Sequence, residues 1–173
     1  NHSDVANSLG NMAVRHMESG HFRTAEPLLL RAIKIRTILF GEDSQTLITF
    51  IVNLGSVYEE LGDYRRAGMK FRRASIIAKQ TLGSEHPEFA SILHRRSSLA
   101  EKVGRYTEAL KLATHALRIQ EKVFGTSSPK ITQAIGTLGQ INYSLDRYTK
   151  AESLVKRALI INEKHRGYYH RSV

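Results

Sequence analysis

Apolar residues return along the chain at helical spacing. Ile51, Leu54, Val57, Tyr58 and Leu61 form one stripe of a helix that stops at Gly62, a residue suited to the left-handed conformation that closes helices. A second stripe follows at once through Tyr64, Ala67, Phe71, Ala74, Ile77 and Ala78, and closes near Gly83. The pattern predicts a pair of helices, and it recurs with a period of 42 residues. Gly41, Gly83, Gly125 and Gly167 share one column, and Phe22, Tyr64, Tyr106 and Tyr148 share another. Ala25, Ala67, Ala109 and Ala151 align, as do Ala32, Ala74, Ala116 and Ala158, and Ile35, Ile77, Ile119 and Ile161. Pro87 and Pro129 are expected in the first turn of a helix, where a missing N–H costs nothing.

The alanine columns have a mechanical reading. Antiparallel helices approach closely only where the crossing point carries a small side chain, with the aromatic ring expected to fill the gap beside it. Neither helix of a pair can bury its stripe alone, so successive pairs stack into a one-dimensional solenoid with a curved inner face. The phase gives repeats at 1–43, 44–85, 86–127 and 128–169. His2, Ser44, His86, Ser128 and His170 continue one column to both ends, so residues 170–173 are expected to open a fifth repeat in a longer parent protein.

The stretches GHFRTAEPLLLRAIKIR, GDYRRAGMKFRRASIIAK, GRYTEALKLATHALRIQEKVFG and DRYTKAESLVKRALIINEK resemble tetratricopeptide repeats. The 42-residue period, and FG or LG followed shortly by HP or SP, are similar to the kinesin-light-chain type of that repeat. The resemblance implies an all-α fold, a right-handed superhelical solenoid of four antiparallel helix pairs with a concave groove. It also implies a scaffold whose groove, lined by the first helix of each pair, takes extended peptides; kinesin light chains take cargo-adaptor peptides carrying a tryptophan flanked by acids. Three departures stand out. Arg96 occupies the apolar column of Met12, Leu54 and Leu138, Asp146 replaces a turn glycine, and Ala100 and Asn142 stand in the column of Tyr58.

Groove-facing columns carried over from the family fall on Asn7, Thr49, Ser91 and Gln133; on Gly10, Val52, His94 and Gly136; on Asn11, Asn53, Arg95 and Thr137; and on Val14, Ser56, Ser98 and Gln140. The third set carries the chemistry. An asparagine amide offers a donor and an acceptor that match the C=O and N–H of an extended peptide. Arg95 adds a guanidinium able to hold a carboxylate through two hydrogen bonds. In similar proteins that clamp a terminal carboxylate, an asparagine and an arginine occupy this column in consecutive repeats, but the accompanying lysines are replaced here by Gly10 and Ser91. The alternative is a solvated inner face with no ligand.

Composition then narrows the classes. The chain has 173 residues, no cysteine and a net charge of +10, which excludes disulfides and thiolate metal sites and favours acidic partners. Much of the charge falls on second helices (Arg31, Lys34, Arg36, Arg72, Arg73, Arg118, Lys122) and is expected on a solvated outer side, with an acidic domain or membrane surface as the rival partner. No apolar run is long enough to span a bilayer, and a reducing, cytoplasmic setting is the simplest fit. Histidine pairs such as His16 and His21 lie five apart, not the three or four that one helical face needs, so no metal or cofactor is expected. No phosphate loop or nucleophile elbow occurs, and an enzyme is not expected. RRAS at Arg72–Ser75 and RRSS at Arg95–Ser98 resemble kinase sites but fall within helices. Nucleic acid is the rival ligand, although base stacking needs aromatics among the charges and most rings here sit in expected core columns. A regulatory repeat domain of a larger signalling protein is a further alternative, and self-association through exposed repeat ends is another reading.

Overall fold

The computed structural model describes residues 2–170, with side chains through residue 165. Among them are eight α-helices and no strand: α1 (His2–Glu18), α2 (Phe22–Phe40), α3 (Ile48–Glu60), α4 (Tyr64–Thr81), α5 (Pro87–Lys102), α6 (Tyr106–Phe124), α7 (Thr132–Ser144) and α8 (Tyr148–His170). The fold is an all-α helical repeat. The chain divides into two compact units, residues 1–84 and 85–173, each made of two helical hairpins. In the first unit α1 pairs with α2 and α3 with α4, while both α1 and α2 touch α3. In the second, α5 pairs with α6 and α7 with α8, while both α5 and α6 touch α7.

The hairpin turns follow from single residues. Gly20, Gly62 and Gly104 adopt φ of 75, 78 and 77°. At the second turn the N–H of Gly62 donates to the Glu59 carbonyl and that of Asp63 to Tyr58, which satisfies carbonyls the ending helix leaves open. Asp146 takes the same place in the last hairpin at φ 58°, and its Oδ1 accepts from the Tyr148 hydroxyl at 2.6 Å.

The column of Ser44, His86 and Ser128 proves to be a helix-opening cap. The Ser44 hydroxyl accepts from the Thr46 N–H, His86 Nδ1 from Glu88 and the Ser128 hydroxyl from Lys130. Pro87 begins α5 directly, as expected, whereas Pro129 opens a short 3-10 turn (Pro129–Ile131) ahead of α7. Gln45–Leu47 forms the matching turn ahead of α3.

The small-residue columns lie where the helices cross. Ala25, Ala67, Ala109, Ala32, Ala74 and Ala116 are fully buried, and so are Ile77 and Ile119. Burying each isoleucine contributes about 1.5–3 kcal/mol, whereas a larger side chain in an alanine column would overpack the crossing. The aromatic column departs from expectation. Tyr64, Tyr106 and Tyr148 open their helices at the hairpin turns and are 39, 36 and 56% exposed, so they flank the crossing and do not fill it. Gly167 does not end its helix, because α8 continues to His170; residues 171–173 of the expected fifth repeat lie outside the described residues.

Two of the second-helix cations are struts. Arg73 donates to the Glu42 carbonyl in the first unit, and its equivalent Arg157 donates to the Thr126 carbonyl in the second. Arg36, expected outside, is buried at 9% exposure because α2 turns it toward α1 and α3.

Candidate polar faces of the first helices

In the first unit α1 buries Ala6, Leu9 and Ala13, and α3 buries Ile51, Leu54 and Tyr58. Alternate columns of the same helices meet solvent: Asn7, Asn11 and Thr49 are exposed, and Asn53 and Ser56 are half-buried. Two of these side chains already hold protein groups. The Ser56 hydroxyl donates back to the Val52 carbonyl at 3.3 Å, and Asn7 Oδ1 accepts a hydrogen bond from Arg36 Nη2. The Arg36 guanidinium lies 4.9 Å from the centroid of Phe50 and 5.7 Å from that of Phe40. Gly10 makes room for this arrangement, since a Cβ there would come within 2.6 Å of the Phe50 ring. Ring, guanidinium and amide together close the corner between α1, α2 and α3.

The second unit carries different residues at the same places. Ser91, Arg95, Gln133 and Gln140 are exposed, while His94, Ser98 and Thr137 are half-buried. Forward by two periods, Asn7 becomes Ser91, Gly10 becomes His94, Arg36 becomes Gln120 and Phe50 becomes Ala134. Without the ring and the guanidinium, a pocket of about 70 Å³ remains, lined by Ser91, His94, Gln120, Lys130, Gln133 and Ala134. The structure thus brings together three residues expected at the groove, Ser91, His94 and Gln133, with three that sequence reasoning missed, Gln120, Lys130 and Ala134. Comparing Gln120 with Arg36 along the period would have flagged the first, and Lys130 stands where the first unit has Thr46.

The electrostatics of the pocket are uneven. Burial, and then the neighbouring Arg95 charge, hold the His94 imidazole below its ordinary pKa. Gln120 Oε1 is buried and has no hydrogen-bond partner among the described residues. The Lys130 ammonium lies 5.0 Å from the Phe124 ring centroid.

A larger recess of about 650 Å³ lies between α7 and α8, lined chiefly by Gly136, Gly139, Gln140, Tyr143, Tyr148 and Val155. Val155 is 57% exposed, whereas Leu29, Phe71 and Ala113 in its column are buried. Of the serines in the kinase-like motifs, Ser75 and Ser97 are buried, their hydroxyls donating to the Arg72 and Ala109 carbonyls, and Ser98 is half-buried. Among the described residues no group of histidines and carboxylates is placed to hold a metal, and no helix is long and apolar enough to cross a membrane.

The sequence matches the tetratricopeptide repeat over residues 5–46, 47–88 and 88–164. The chain belongs to the tetratricopeptide repeat family. Solved structures share its fold. BtubC (BKLC) from P. vanneervenii superposes with a TM-score of 0.90 at 22% identity, over 97% of this chain and 67% of that one. A putative kinesin light chain of Podosopora anserina with nearly identical TPR-like repeats gives 0.82 at 21% identity, over 95% and 77%. Aspartyl phosphate phosphatase F from Bacillus subtilis gives 0.83 at 16% identity, over 95% of this chain and 42% of that one. No curated protein matches the sequence. The repeats make the chain a protein-interaction scaffold in the general sense.

Proposed function

We propose that the polar faces of the first helices hold an extended segment of a partner protein, with the asparagine column supplying backbone-like hydrogen bonds. One observation carries this reading: accessible polar columns run beside fully buried apolar columns on the same helices, at the same repeat positions. Asn11 and Asn53 present amides in the first unit, and Arg95, Thr137, Gln133 and Gln140 present polar groups in the second. Such groups pair with the C=O and N–H of an unpaired peptide backbone. Asn7 and Ser56 act inside the protein, on Arg36 and Val52. A partner rich in acidic residues would also suit Arg95, in the manner of the cargo peptides of similar light chains.

The test is a binding titration with peptides selected from a random library, on the wild type and on Asn53→Ala and Arg95→Ala variants. Affinity is expected to fall about tenfold for each change, the size of one or two lost hydrogen bonds. Unchanged affinity with an unchanged melting temperature overturns the assignment.

A second reading, self-association, is favoured by the α7–α8 end, where Tyr143, Tyr148, Val155, Leu159 and Ile160 are each at least half exposed. Sedimentation across concentration distinguishes the two. A Val155→Lys variant would abolish a dimer and leave peptide binding intact.

A further inference from the structure

The two units are built on the same 42-residue plan, yet one corner of that plan is filled in the first and hollow in the second. In the first unit the corner holds Phe50 and the buried Arg36 side chain, whose guanidinium is bonded to Asn7. In the second, Ala134 removes the ring and Gln120 shortens the polar arm, so that about 70 Å³ remains among Ser91, His94, Lys130 and Gln133. One water needs only about 10–15 Å³ of such space, so the pocket has room for a small polar group. The pocket opens among the columns proposed above to hold a peptide, and the inference rests on that reading.

The wall chemistry decides which group fits. Gln120 Oε1 is a buried acceptor that wants a donor. Lys130 is a donor only and wants an acceptor. An apolar side chain satisfies neither. A carboxylate answers Lys130 and can accept from the Gln120 N–H, but it leaves Gln120 Oε1 unpaired and must also leave water for a half-enclosed site. A primary carboxamide has one of each: its N–H faces Gln120 and its oxygen faces Lys130, at no cost in buried charge. Ser91 and Gln133 can complete either end.

We infer that this pocket is a specificity subsite for an asparagine side chain of the bound peptide, with Gln120 and Lys130 as its reading residues. The first unit has no such subsite, because Arg36 and Phe50 occupy the equivalent place.

Selection from a displayed library of random nonapeptides tests this, on the wild type and on two variants. Gln120→Leu removes the acceptor while keeping the bulk. The double change His94→Gly with Ala134→Phe restores the ring of the first unit's corner, glycine being needed beside it as it is at Gly10. The expected result is one fixed asparagine position in peptides selected on the wild type. Both variants lose that preference, and Asn→Ala in a selected peptide costs at least fivefold in affinity on the wild type alone. Peptides that bind with no fixed asparagine, or with a fixed aspartate, overturn the subsite and leave the peptide reading standing. A library that yields no binder overturns the peptide reading itself. If the double variant melts early, Gln120→Leu decides alone, since it adds no volume.

Discussion

Asn7 on α1 and Arg36 on α2 are joined by a hydrogen bond from the Arg36 guanidinium to the Asn7 amide oxygen, beside an apolar cluster that includes Ala6, Leu9, Leu28 and Ala32. The guanidinium is buried and its Nε finds no partner among the described residues, so Asn7 carries much of its compensation. An asparagine that faces solvent in the repeat pattern is therefore a structural residue. Asn7→Ala is expected to destabilise the chain by about 1–3 kcal/mol, the cost of leaving a buried polar donor unpaired. Asn7→Asp keeps the acceptor, adds a complementary charge and should match or exceed wild-type stability. Urea unfolding midpoints check both, and an unaffected midpoint for the alanine variant shows the bond to be dispensable.

How much of this was legible beforehand depends on the kind of signal. Most of the alanine and isoleucine columns were read correctly because burial at a crossing admits few side chains, so the period shows through at Ala67, Ala74 and Ile77, although Ile35 and Ala158 are only half-buried. The aromatic column misled for the opposite reason. A ring at a helix start suits partial exposure as well as burial, and Tyr64 and Tyr148 took the former. Arg36 looked like one more surface cation. Its position became evident only beside Phe50 and Gly10, which lie on other helices, and no periodicity reports a contact between columns. The pocket at Gln120 was hidden likewise, being a difference between repeats in a reading that sought their sameness.

His94 gives the chain a pH dependence with a defined sign. Burial, and secondarily Arg95, keep its folded pKa below the ordinary 6.5, so the unfolded chain takes up this proton more readily. Stability is then full above about pH 6.5, the unfolded value, and falls as pH drops through it toward the folded pKa, below which the loss is complete. His94→Gln removes this titration. The drop in urea midpoint between pH 7.5 and pH 5.5 should be smaller in that variant than in the wild type. An equal drop in both proteins assigns the dependence to other groups.

Asp146 holds a left-handed backbone that Gly20, Gly62 and Gly104 adopt without steric cost in the other hairpins. Its hydrogen bond to Tyr148 is between exposed groups and returns little. Asp146→Gly should therefore raise stability by about 0.5–1 kcal/mol, whereas Asp146→Ala, with a Cβ and no side-chain acceptor, should lower it by a similar amount. Calorimetric melting temperatures in one buffer decide the order. A glycine variant that melts below the wild type shows that the Tyr148 bond outweighs the strain.

Two glycines inside first helices should respond oppositely to the same change. Gly136 in α7 has nothing within 4 Å of where a Cβ would stand, so Gly136→Ala gains helix propensity at no steric cost, about 0.5–1 kcal/mol. At Gly55 in α3 the new carbon would lie 2.6 Å from Phe71 Cε1, and Phe71 is fully buried with no free direction in which to move. Overpacking of that kind typically costs about 1–3 kcal/mol, more than the propensity returns, so Gly55→Ala should destabilise. Gly10 shares the column of Gly136 but faces the Phe50 ring, which is only half-buried and able to shift. Gly10→Ala should fall between the two. Denaturation midpoints of the three variants test the ranking, and a stabilised Gly55→Ala protein would mean that Phe71 has room the packing around it does not show.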